Sequence, residues 1–171
     1  AALKAGDNHA DEGAKHGTEA MERHAEECVK LGNEAFSHNN FAHAIEKYSE
    51  AIGLFPGLPA AWCGRGGVLL RQGKLQEALK DLDEALRLDP GLLYALRDRA
   101  EARMKTNDID GAIEDFNAKL SLAPADGRAL SGRGQARMLK GDRSGALTDF
   151  NFAVRLGYPG AEELRKKAQH T

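Results

Sequence analysis

Residues 62–90 read WCGRGGVLLRQGKLQEALKDLDEALRLDP. In the second half Leu79, Leu82 and Leu86 sit at i, i+3 and i+7 with charged residues between them. That spacing puts one apolar face on an α-helix. Gly73 breaks the periodic pattern at the point where a left-handed residue would end a helix. Pro90 closes the stretch, because proline disfavours helical backbone at the residue before it. The stretch therefore predicts two amphipathic helices, over 59–72 and 75–88, joined by a tight turn.

The same pattern recurs on both sides. Pro56, Pro90 and Pro124 lie 34 residues apart, and Ala44, Ala78, Ala112 and Ala146 keep that period. So do Tyr48, Leu82, Phe116 and Phe150, and so do Ala51, Ala85 and Ala153, with Lys119 interrupting the last series. Gly32, Gly66, Ala100 and Gly134 supply a small residue near the start of each unit, and Asn39, Gly73, Asn107 and Gly141 share one turn register. Further helices follow over 25–38 and 41–54, 93–106 and 109–122, and 127–140 and 143–156. The second helix of each unit carries an i, i+3, i+7 face: Ile45/Tyr48/Ile52, Ile113/Phe116/Leu120 and Leu147/Phe150/Val154 outside the quoted stretch. No such hairpin can bury both of its faces alone, so neighbours must stack.

These residues resemble the tetratricopeptide repeat: Trp62-x3-Gly66, Ala78, Leu82, Ala85 and Pro90 follow its pattern of aromatic, small, Ala, apolar, Ala and Pro. The resemblance covers about residues 25–158. It implies an all-α fold, a right-handed α-solenoid of four helix hairpins over about 25–58, 59–92, 93–126 and 127–158, within a repeat region of 19–158. The last unit has Tyr158 where Pro is expected. Residues 159–171, with a helix over Ala161–Gln169, form a polar capping helix and the C-terminus, as a solenoid end requires. Residues 1–18 have almost no large apolar residue and are expected to be a low-complexity tail that does not order itself, held by a partner chain or docked. Helical pattern begins near Thr18.

Composition excludes several classes. The chain has 171 residues, 42% hydrophobic and 29% charged, with a formal net charge of −2. Lys4, Lys15 and Arg23 against Asp7, Asp11, Glu12, Glu19 and Glu22 give −2 within the first 24 residues, so the rest is balanced. Nothing in this pushes toward nucleic acid, which needs a basic face. No apolar run is long enough to span a bilayer. The chain begins at Ala1, consistent with a processed or excised piece, and a removed targeting peptide would leave no trace. Cys28 and Cys63 are too few for a disulfide framework and have no CxxC or Cys/His pair at ligand spacing, so reduced thiols in the cytoplasm or an organellar lumen, and no metal, are expected. Gly67–Lys74 has five residues between its glycines, where a phosphate loop needs four, and no Ser or Thr after the lysine. Asp108, Asp110 and Gly111 read as a helix start rather than a calcium loop. His9, His16 and His24 read as solvated. Arg65, Arg99 and Arg133 recur every 34 residues and are read as surface arginines covering the seam between repeats with their methylenes, in preference to a ladder for an acidic ligand. No catalytic constellation or cofactor motif is present, so the chain is expected not to be an enzyme and to need no cofactor.

In the resembled family the first helix of each unit lines a concave groove for a peptide or helix. The corresponding positions are Val29, Lys30, Asn33 and Phe36 in the first unit and Cys63, Gly64, Gly67, Leu70 and Arg71 in the second. The third gives Tyr94, Arg97, Asp98, Glu101, Met104 and Lys105, and the fourth Arg128, Ser131, Gln135, Met138 and Leu139. The expected function is a scaffold or adaptor holding another protein through apolar anchors; the alternative is a structural subunit built permanently into a large assembly. Co-chaperones of the family grip Hsp70 or Hsp90 tails with cations and asparagines at positions that here are Val29, Asn33, Gly64, Tyr94 and Asp98, so only Asn33 is kept. Gly64 and Gly67 have no evident packing role in the sequence. They fit tolerated drift, admission of a bulky neighbour such as Tyr94, or a depression for a ligand walled by Phe36, Cys63, Leu70, Tyr94 and Met104. The third use is the one expected.

Overall fold

The computed structural model describes residues 7–170, with side chains from residue 15 onward. Nine helices are found among the described residues, and no strand. They are α1 (Asp7–Ser37), α2 (Phe41–Leu54), α3 (Pro59–Arg71), α4 (Leu75–Leu88), α5 (Leu93–Lys105), α6 (Ile109–Leu122), α7 (Gly127–Lys140), α8 (Arg143–Arg155) and α9 (Ala161–His170). From α2 onward each boundary lies within a residue of the sequence expectation.

The turns explain that agreement. Asn39, Asn107, Gly73 and Gly141 all have positive φ, between 58° and 88°, so the recurring Asn/Gly register is the left-handed residue ending each first helix. Asn40, Asp108 and Asp142 then cap the second helices, accepting from the backbone N–H groups of His43, Gly111 and Gly145. Asp108 and Gly111 are thus a helix cap.

The start of α1 differs from expectation. Among the described residues the helix already runs from Asp7, well before Thr18. Ala, Glu and Lys are strong helix formers even where they give no apolar face, and a helix that continues from the first repeat needs no new nucleus. The expectation of a tail held by a partner falls partly on residues 1–6, which lie outside the described residues.

Helices α1, α3, α5, α7 and α9 touch one another in series. The even helices touch only the odd helices on either side of them. The odd helices therefore form the closely packed inner layer and the even helices splay outside it, which is an all-α solenoid with a concave face. Tyr48, Leu82, Phe116 and Phe150 are each buried at the centre of a hairpin. A Cβ added at Gly32 would come within 2.6 Å of the Tyr48 ring, and one at Gly134 within 2.5 Å of the Phe150 ring. The small residue in each first helix is thus the seat of the large one in the second. At the C-terminal end, Ala168 of α9 closes over Phe150, with Met138, Leu147 and Leu164 around it.

The recurring arginines are not seam-covering methylenes. Arg65 donates through Nε and Nη2 to Asp81 at 2.7 and 3.0 Å, and through Nη1 to Ser49 of the preceding unit at 3.0 Å. Arg99 does the same with Asp115 and Asp83, and Arg133 with Asp149 and Asn117. Each guanidinium forks onto a buried carboxylate sixteen residues later and reaches back sixteen residues to the previous repeat. This planar bidentate pairing is what arginine offers and lysine does not. The first unit lacks it, with Leu31 and Lys47 at the corresponding positions.

Candidate functional site

The concave face holds a cavity of about 430 Å³ between α1, α3, α5 and the start of α7. From α1 it receives Val29, Asn33 and Phe36, and from α3 Ala60, Cys63, Gly64, Gly67, Leu70 and Arg71. Leu92 precedes α5, which adds Tyr94, Arg97, Asp98 and Glu101; α7 adds Arg128, and Tyr48 of α2 forms the floor. Thirteen of the twenty positions expected at the groove line this one cavity. Met104, Lys105, Ser131 and Gln135 line a second cavity of about 550 Å³, between α5, α7 and α9. Lys30, Met138 and Leu139 line neither; Met138 is partly buried and packs against the Ala146, Phe150 and Ala168 cluster.

Two wall residues escaped the sequence reading. Ala60 shares the register of Tyr94 and Arg128, one and two periods later, so the repeat itself could have pointed to it. Leu92 sits at the N-cap of α5, just outside the helix.

Gly64 has a packing reason after all. A Cβ there would collide with Cε1 of Tyr48 from the preceding unit. Gly132 receives Phe116 in the same way, its added Cβ falling 2.5 Å from Cζ. The glycine admits the neighbour's aromatic ring, and the neighbour is Tyr48, not Tyr94. Tyr94 instead stands 65% exposed at the rim. Gly67 is open except toward Asp98, whose Oδ2 would lie 3.2 Å from an added Cβ.

Arg97 and Asp98 dominate the electrostatics of the cavity. Arg97 donates to Asp98 Oδ1 at 2.8 Å and lies over the Tyr94 ring, 5.2 Å from its centre. Burial raises the Asp98 pKa, and the adjacent Arg97 only partly offsets this. Burial, aided by the Asp98 charge, pushes the Cys63 thiol up to about 12, so it stays protonated and acts as an apolar wall instead of a nucleophile. The Tyr48 hydroxyl, also pushed up to about 12 by burial, donates to Asn33 Oδ1 at 2.7 Å. That bond fixes the Asn33 amide with its NH2 group away from Tyr48. Arg71 lies over Phe36, 5.9 Å from its centre. Among the described residues no carboxylate is within 4 Å of Arg71 or Arg128, and the cavity lining contains no histidine. Neither described cysteine is in a disulfide. No described helix is long and apolar enough to cross a membrane.

Cys28, expected to have no metal-ligand partner at close spacing, does have one. It has a histidine at ligand spacing: His24 lies one helical turn before it on α1, and Glu50 of α2 meets them both. These three residues lie outside both groove cavities.

Compared by sequence with curated proteins, the chain has no significant match. Among solved structures it is similar to the "Arabidopsis OM64 TPR domain", with a TM-score of 0.66 at 25% identity, covering 69% of this chain and 98% of that one. It is also similar to pilF of Pseudomonas aeruginosa, with a TM-score of 0.80 at 15% identity over 88% of this chain and 70% of that one. A third likeness is the first TPR of Spaghetti (RPAP3), solved bound to the HSP90 peptide SRMEEVD, with a TM-score of 0.68 at 22% identity over 70% of this chain and 98% of that one. The last two show the fold alone. The family model of the tetratricopeptide repeat matches residues 29–92 and 97–161. Those two spans take in the stacked hairpins and the start of the cap, most of the chain, and so the chain belongs to the tetratricopeptide repeat family, a fold of protein–protein interaction.

Proposed function

We propose that the chain is an interaction scaffold that holds a peptide or helix of another protein in its concave groove, with an apolar side chain of that partner seated in the 430 Å³ cavity. The carrying observation is the cavity's construction. Phe36, Leu70, Leu92 and Tyr94 give it apolar walls from three successive repeats, while Asn33, Arg71, Arg97 and Arg128 stand among them. Concave, mostly apolar sites with a few polar groups are where binding energy concentrates. The exposed Tyr94 ring, braced by Arg97, supplies an aromatic edge for the partner to close upon. A protonated Cys63 and an Arg-paired Asp98 leave the cavity without an activated nucleophile, in keeping with holding instead of turnover.

The test is peptide selection from a random display library with the intact chain, followed by affinity measurement on variants. Selected peptides should share an apolar anchor residue. Tyr94→Ala and Ala60→Trp, which remove a wall and fill the cavity, should each weaken binding about tenfold or more. Leu122→Ala, on the even-helix side, should leave it unchanged. Equal affinity for all three variants would place the ligand elsewhere.

A further inference from the structure

His24 and Cys28 stand four residues apart on α1, so one helical turn stacks them on the same face. Glu50, from the last turns of α2, comes up against both. The imidazole nitrogen, the thiol sulfur and a carboxylate oxygen all lie within 4.8 Å of one another, and His24 Nε2 is 3.9 Å from Glu50 Oε1. Around a tetrahedral Zn2+ with bonds of about 2.0–2.3 Å, donor atoms sit roughly 3.3–3.8 Å apart. The contraction required is small, and the exposed His24 ring can supply it by side-chain rotation.

The surroundings position the donors. The Cys28 thiol is buried among the core of the first unit, with its sulfur within 4.8 Å of a Glu50 carboxylate oxygen. Lys47 holds the other carboxylate oxygen, with Nζ 2.8 Å from Glu50 Oε2. Glu50 is thereby fixed with Oε1 turned toward His24. Lys47 stands where the other repeats carry the aspartate that receives their arginine. The first repeat thus lacks the buried Arg–Asp clamp at the place where it gathers these three donors.

We propose that His24, Cys28 and Glu50 form a Zn2+ site that ties α1 to α2 in the first repeat. It has three protein ligands, and water takes the fourth position. Nitrogen, sulfur and oxygen donors together suit Zn2+, and the i, i+4 His–Cys pair supplies two of them from one helix. On binding, the Cys28 S–H bond gives its proton to solvent and the thiolate sulfur donates to the metal. Neither groove cavity includes these residues, so the site stands independently of the groove reading.

The probe is Co2+, titrated into the full chain with a phosphine reductant present. The expected result is one equivalent bound, with thiolate-to-cobalt charge-transfer absorption and tetrahedral d–d bands that Zn2+ abolishes by displacement. Cys28→Ser should remove the charge-transfer band, while Cys63→Ser should keep it. His24→Ala and Glu50→Gln change exposed side chains and leave the core alone; each should weaken Co2+ binding about tenfold or more. Far-ultraviolet circular dichroism confirms that every variant is folded. The proposal is overturned by absence of the charge-transfer band in the parent chain. It is equally overturned by retention of that band in Cys28→Ser, its loss in Cys63→Ser, or unchanged affinity in His24→Ala and Glu50→Gln.

Discussion

Replacing Asp149 by Ala tests the clamp that joins the two helices of each later repeat. Asp149 is 1% exposed and accepts three charge-assisted bonds: Nε and Nη2 of Arg133 at 3.0 and 2.6 Å, and Nη1 of Arg137 at 2.9 Å. Removing the carboxylate leaves two guanidiniums that are mostly buried, with side chains 19% and 24% exposed. Breaking a buried pair from one side costs about 3–5 kcal/mol, because the remaining charge loses both water and partner. Arg133 keeps its bond to Asn117, and Arg137 keeps the Gly145 carbonyl, so the loss should fall at the lower end, about 3 kcal/mol. Asp83→Ala provides the contrast: that side chain is 58% exposed on the outer end of Arg99, and its loss should cost less than about 1 kcal/mol. Urea unfolding followed by far-ultraviolet circular dichroism gives the two differences. Hydrogen exchange supplies the location, since each repeat contacts only its neighbours. In Asp149→Ala the amides of α7 to α9 should exchange faster while those of α3 and α4 do not. A cost for Asp149→Ala no greater than that for Asp83→Ala, or uniform exchange along the chain, would refute the clamp reasoning.

Gly64→Leu should lower stability by about 1–3 kcal/mol, because the new side chain must displace the buried Tyr48 ring; Gly67→Ala, facing only the movable Asp98 carboxylate, should instead gain up to about 1 kcal/mol of helix propensity. Thermal melts of the two variants distinguish these signs, and a harmless Gly64→Leu would mean that Tyr48 does not need the space. The Asp98 pKa is raised mainly by burial, so the folded chain holds that proton longer than the unfolded chain, and stability from this group falls as pH rises from the ordinary carboxylate value through the raised one. Asp98→Asn should therefore gain on the parent as pH is raised from about 4 toward neutrality, and a pH-independent difference in urea midpoints would contradict it. An Hsp-tail peptide ending in EEVD should bind more weakly than the low-micromolar range by calorimetry, because Val29, Gly64 and Tyr94 offer no charge-assisted donors. Low-micromolar, salt-sensitive binding that Asn33→Ala abolishes would overturn that expectation.

The 34-residue period determined the architecture by itself. A left-handed Asn or Gly and a following proline are local requirements of the backbone. They need no knowledge of neighbours, which is why the boundaries of α2 to α9 were legible to within a residue. The start of α1 was less so, because composition low in apolar residues is silent about a helix that propagates from a packed repeat. The groove was legible as a register, and Ala60 could have been added by carrying Tyr94 back one period.

Contacts across sixteen residues or between repeats were a different matter. Arg65, Arg99 and Arg133 were visible as a series, and so were Asp81, Asp115 and Asp149. Only the packing of two helices put each guanidinium against its carboxylate. Gly64 looked free because its partner, Tyr48, belongs to the preceding repeat. His24 and Cys28 share a face by their spacing on α1, but Glu50 reaches them only because α1 and α2 pack together, which no spacing along the chain encodes. Local backbone chemistry writes itself into the sequence at fixed offsets. Side-chain encounters between helices depend on how their faces are rotated together, and that rotation exists only once the solenoid has packed.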